Sequence, residues 1–102
     1  MPISGKRYKF TKENVDKSPK KTGVFALYDG ATLIFIGRAT DGGLTLRSAL
    51  QDHQAGRGGP TTQRATHYRR EETKASVSRE IELFAEYQAS FGGQPRANVT
   101  VG

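Results

Sequence analysis

Two short apolar runs, Val24–Tyr28 and Leu33–Ile36, stand on either side of Asp29-Gly30-Ala31-Thr32. Both runs are rich in β-branched or aromatic residues, and the four residues between them carry a turn signal. The simplest local solution for such a segment is a β-hairpin. The runs do not alternate with polar residues, so both faces of the strands are expected to be covered by other elements. Gly37 is expected to end the second strand.

The rest of the chain supplies the cover. Asp41-Gly42-Gly43 is a break, and a helical period follows from Leu44 to Gln54, with Leu46, Ala49, Leu50 and His53 on one side. Gly56 suits its C-terminal stop, and residues 56–62 read as a basic, glycine-rich loop. Ala65–Arg70 is expected to be a third strand on the strength of its Thr and Tyr. A longer helix is expected from Ala75 to Ala89, with Phe91-Gly92-Gly93 ending it and Gln94–Asn98 extended. The order strand, strand, helix, strand, helix predicts an α/β (α+β) fold. Its sheet is expected to be small, three-stranded, antiparallel or mixed, with flanking helices. At 102 residues the chain can bury one modest core. Residues 23–102 are expected to form that domain and residues 1–22 a basic N-terminal arm with little regular structure.

Charge bears on the partner. The formal net charge is +6, and residues 1–22 hold seven Lys or Arg against two acidic residues. A basic balance favours a polyanion such as nucleic acid, although a basic arm also serves solubility alone. The chain has no cysteine, which excludes disulfides, thiolate metal sites and a Cys nucleophile. That absence fits a cytoplasmic location. No long apolar run predicts a membrane span or a secretory signal.

One carboxylate sits on the wrong side of its helix. With successive residues about 100° apart, Val77, Ile81, Phe84 and Tyr87 define an apolar stripe. Glu82 and Glu86 fall opposite it, whereas Glu80 falls inside it, between Phe84 and Tyr87. Burying a carboxylate is costly unless it is paired, hydrogen-bonded or bound to a metal. Two arrangements accommodate it: a stripe edge from which Glu80 reaches solvent or an Arg, or a single ligand position for a divalent cation, since Mg²⁺ often takes only one or two carboxylates.

Taken in order, these pieces resemble the GIY-YIG nuclease family. The family's two tripeptides correspond to Gly23-Val24-Phe25 and Phe35-Ile36-Gly37, and Arg38 matches the basic residue that follows the second. Arg47 matches an arginine of the next helix, and His53 lies where many members carry a His or another polar residue. Glu80 matches the glutamate of an amphipathic helix, and Pro95-Arg96-Ala97-Asn98 matches a closing Pro-x-x-Asn. The likeness runs from Gly23 to Asn98. It departs from the family at both tyrosines, which are Phe25 and Phe35 here. Phenylalanine keeps the ring but has no group to transfer a proton, and such assistance is typically worth roughly 10²–10⁴-fold.

The resemblance implies hydrolysis of phosphodiester bonds in nucleic acid, DNA in preference to RNA, with Mg²⁺ or Mn²⁺. Glu80 would hold the metal, Arg47 would contact the phosphate, Arg38 would help place the backbone, and Asn98 would bind phosphate or brace the site. His53 is the first candidate to replace the missing hydroxyls, ahead of Tyr28, His67 and Tyr68. Tyr28 ranks lower because it points to the other face of its strand from Phe25. Lys20, Lys21 and Arg57 would track the backbone without reading sequence. The alternatives are a catalytically weak or inactive nucleic-acid-binding domain on the same fold, and a structural or protein-interaction module. No feature indicates an oligomer.

Overall fold

The hairpin forms. In the computed structural model, which describes residue 3, residues 5–40 and residues 44–100, the elements follow in chain order. They are β1 (Tyr8–Lys9), α1 (Lys12–Asp16), β2 (Gly23–Asp29), β3 (Thr32–Ala39), α2 (Leu46–Gln54), α3 (Pro60–Gln63), β4 (His67–Glu72), α4 (Ser76–Phe91) and α5 (Arg96–Thr100). Asp29 pairs with Thr32 across a two-residue loop in which Gly30 adopts φ 62°. That left-handed backbone is what a tight hairpin turn asks of its first residue. The second strand runs past Gly37 to Ala39. The break expected at Asp41-Gly42-Gly43 lies outside the described residues.

The sheet has four strands, not three, in the order β1-β4-β2-β3, and every pairing is antiparallel. The additional strand comes from the expected arm. Tyr8 pairs with Tyr68 and Lys9 with His67, and α1 places Val15 fully inside the core. Apolar Tyr8, Phe10 and Val15 outweigh the lysines around them, because only their side chains need leave water. Gln94–Asn98 also departs from expectation: Arg96 begins a short helix.

Helices cover both faces, as the unbroken apolar strands require. Phe25, Leu27 and Ile34 pack with Val15, Leu46, Leu50 and Tyr68 on one face. Val24, Ala26 and Ile36 pack with Leu83 of α4 on the other, joined by Phe84 and Tyr87. Each fully buried Leu or Ile contributes roughly 1.5–3 kcal/mol. Among the described residues no helix is long and apolar enough to cross a membrane.

A β-bulge controls which residues share a face. Leu27 pairs with Phe35 but Tyr28 pairs with Leu33, so Ile34 has no partner on β2. The extra residue shifts the alternation of β3 by one. Phe35 and Gly37 therefore lie on the face of Phe25 and α2. Ile36 and Arg38 lie on the face of Val24 and α4.

Candidate active site

The bulge brings side chains from both faces to one place, the free edge of β3. A cleft of about 480 Å³ wraps this edge. From the α2 face come Phe25, Phe35, Asp52 and His53. From the α4 side come Arg38 and Glu80, and α5 contributes Asn98.

Glu80 lies in the middle of the buried face of its helix. The side of α4 turned inward carries Ser76, Glu80, Leu83 and Tyr87, whereas Val77 is 47% and Ile81 63% exposed. The buried stripe is thus displaced from the one the apolar residues suggest, and it is centred nearer Glu80. Glu82 is exposed as expected, but Glu86 is half-buried. The Glu80 side chain is 13% exposed and accepts from Arg38 Nη1 at 2.5 Å. Next to it, Arg79 holds both oxygens of Glu71 at 2.7 and 3.2 Å and also reaches Glu82, tying α4 to β4.

Three rings form the opposite wall. The His53 centroid lies 4.7 Å from that of Phe35 and 5.6 Å from that of Phe25, and the two phenylalanine rings are 6.0 Å apart. Gly37 makes room for them: a Cβ there would sit 2.5 Å from Phe25 and 2.8 Å from Phe35. His53 is half-buried, and burial holds its pKa below the ordinary 6.5 against a weaker opposing pull from Asp52. The ring is therefore neutral and able to accept a proton near neutral pH. Its Nδ1 lies 3.0 Å from Thr62 Oγ1.

Asn98 grips the edge of β3 itself. Its Oδ1 accepts from the Ile36 backbone N–H at 2.9 Å, and its Nδ2 donates to the Ile36 carbonyl at 2.9 Å. The side chain thereby acts as one residue of a further strand and satisfies an edge that would otherwise be open. Bracing, one of its two expected roles, is what the geometry displays.

Other expected residues stand elsewhere. Arg47 is not among the residues lining the cleft; its Nε donates to the Ser18 carbonyl at 2.7 Å and its backbone N–H to Pro19. The start of α2 is pinned by the loop before β2, and that loop takes the guanidinium. Lys20 is exposed, while Lys21 lines a separate depression with Thr22, Glu72, Thr73 and Lys74. Arg57 pairs with Asp52 at 2.5 Å, beside the cleft. Tyr28 belongs to the α4 face, and burial raises its pKa. Tyr68 is fully buried with its hydroxyl near Ser18 Oγ, and His67 contacts Thr66. Of the four candidates to replace a hydroxyl, His53 alone lines the cleft. The sequence reading missed Asp52, Gly58 and Thr62. Asp52 carried a readable signal, since it precedes His53 on the same helix; Gly58 lies in the loop before α3 and Thr62 in α3 itself, a short helix that forms where only a basic loop was expected.

A divalent cation would find hard oxygen donors here. Glu80 offers one carboxylate drawn into the cleft, with Asp52 lining the same space. Among the described residues no group of three His, Cys, Asp or Glu side chains gathers. The donor set suits an ion that keeps its waters and binds substrate phosphate, as Mg²⁺ does, and not one that needs a closed protein cage. No family model matches the chain, and neither does any curated protein or solved structure.

Proposed function

We propose that this protein is an endonuclease-like phosphodiester hydrolase of the GIY-YIG kind, acting on nucleic acid with Mg²⁺ or Mn²⁺. The observation that carries the reading is the Glu80 carboxylate, drawn into a cleft that also holds Arg38, His53 and the two phenylalanines at the family's tyrosine positions. A helix that turns Glu80 inward while leaving Val77 and Ile81 in water is not arranged for packing alone.

The residues divide the work as follows. Arg38 is 44% exposed, so its guanidinium can leave Glu80 for a substrate phosphate, where two N–H groups suit two oxygens. Arg38 takes the phosphate role that the resemblance gave to Arg47. His53, neutral and resting on both phenylalanine rings, accepts the proton of the attacking water in place of the absent hydroxyls. Glu80 would hold the cation, which supplies charge neutralisation at the leaving oxygen. Asn98 keeps the Ile36 segment, and with it Arg38, in register. Arg57 at the rim adds positive charge for the backbone.

A second reading, a nucleic-acid-binding domain with weak or no cleavage, is favoured by one specific feature: neither Phe25 nor Phe35 offers a proton. Plasmid nicking decides between them. Cleavage that needs Mg²⁺ or Mn²⁺ and disappears in Glu80→Ala supports the hydrolase. Salt-sensitive binding without nicking supports the binder. Neither binding nor nicking at low salt rejects both.

A further inference from the structure

The segment between α2 and β4 closes on the His53 ring, and the proposed reaction uses only the charge of its Arg57. Thr62 is fully buried, with Oγ1 3.0 Å from His53 Nδ1. The same hydroxyl donates to the Gly59 carbonyl at 3.4 Å. A hydroxyl has one proton, and a carbonyl can only accept. With that proton directed at Gly59, Thr62 Oγ1 faces the imidazole as an acceptor. In that arrangement Nδ1 carries hydrogen and the lone pair of a neutral ring lies on Nε2; with the hydroxyl proton turned to Nδ1 instead, Nε2 would carry the hydrogen.

We infer that Thr62 is a positioning residue that fixes His53 as its Nδ1–H tautomer and so leaves Nε2 as the basic nitrogen. Gly58 is part of the device. A Cβ at Gly58 would lie 2.3 Å from His53 Nδ1 and 2.9 Å from Thr62 Oγ1, so no other residue lets the chain pass this close to the ring. Phe25 and Phe35 confine the ring from the other side. The basic, glycine-rich stretch thus has a job besides charge: its glycine and its threonine set the orientation of one imidazole. What Nε2 does for a substrate rests on the hydrolase reading, but the tautomer is a property of the free protein.

The test is spectroscopic and needs no substrate. Protein carrying isotope-labelled histidine is observed by long-range proton–nitrogen correlation above the histidine titration range, with His67→Gln identifying the His53 signals. A histidine side chain free in water favours the opposite, Nε2–H form, so a Nδ1–H pattern at His53 is the expected departure. Thr62→Val keeps the shape and removes the acceptor, and should return His53 to the Nε2–H pattern; Thr62→Ser keeps the hydroxyl and should preserve Nδ1–H. A wild-type Nε2–H pattern, or a Thr62→Val spectrum like the wild type, overturns the inference. Should Thr62→Val not fold, the wild-type and Thr62→Ser spectra still decide it. Nicking is measured separately on the same proteins: a Nδ1–H signature in a protein that never cuts rejects the hydrolase and leaves the positioning role standing.

Discussion

Arg38 Nη1 donates to Glu80 Oε1 at 2.5 Å, joining the end of β3 to α4 over the cleft. The pair is unequally exposed, at 44% and 13% of the two side chains, so solvent screens much of its attraction. Glu80→Gln keeps the shape and most of the packing. Its expected effect on stability is small, within about 1 kcal/mol in urea unfolding. Its expected effect on metal-dependent nicking is complete loss. A large fall in stability with nicking retained would make Glu80 a structural residue and remove it from the active site.

Asn98 holds Ile36, itself only 3% exposed, through two backbone hydrogen bonds at 2.9 Å. Asn98→Ala leaves both backbone groups without their partner. One buried unsatisfied group costs about 1–3 kcal/mol, and water can reach part of this edge. A loss of about 1–3 kcal/mol is therefore expected in urea unfolding. Asn98→Asp should fall in the same direction, because a carboxylate accepts from the Ile36 N–H but cannot donate to its carbonyl. Wild-type stability in both variants would refute the clamp.

The sequence made some of this legible and hid the rest for physical reasons. The hairpin was readable because turn chemistry is local. The inward Glu80 was readable because helical period is local too. The displaced stripe was not: Val77 and Ile81 are apolar, yet α4 rests on the sheet through Ser76, Leu83 and Tyr87, and only tertiary packing chooses between adjacent faces. The strand Tyr8–Lys9 was hidden by surrounding lysines, since an edge strand needs little apolar surface. The bulge at Ile34 left no trace in composition, although it decides that Phe35 joins His53 while Arg38 joins Glu80. Only the resemblance put Arg47 at the phosphate, and nothing in its own segment foretold the Ser18 carbonyl that its Nε reaches.

Two glycines should separate packing from positioning. Gly37→Ala drives a methyl against the rings of Phe25 and Phe35. Phe25 is 2% exposed and has little room to yield, so a cost of about 1–3 kcal/mol is expected, as for other overpacked cores. Gly58→Ala meets the His53 ring, which is half-buried where Phe25 is fully inside, so it disturbs less of the core. It should cost less stability than Gly37→Ala while depressing nicking more than it changes binding. Calorimetry with nicking and binding titrations checks the ranking; equal losses of stability with unchanged nicking would contradict it.

The burial of His53 makes a signed prediction for pH. Its folded pKa lies below the ordinary 6.5, chiefly because burial disfavours the charged ring. Between the two values the unfolded chain holds a proton that the folded chain lacks. Stability must then rise with pH across that window, and it falls as pH drops below about 6.5 until the folded value is passed. His53→Phe should flatten this part of the profile. The same depression keeps the imidazole neutral at lower pH than a free histidine. Nicking by the wild type should therefore hold its rate below 6.5 and fall only at the depressed value. A rate that falls at the ordinary histidine pKa, or one that His53→Phe leaves unaltered, would remove His53 as the base.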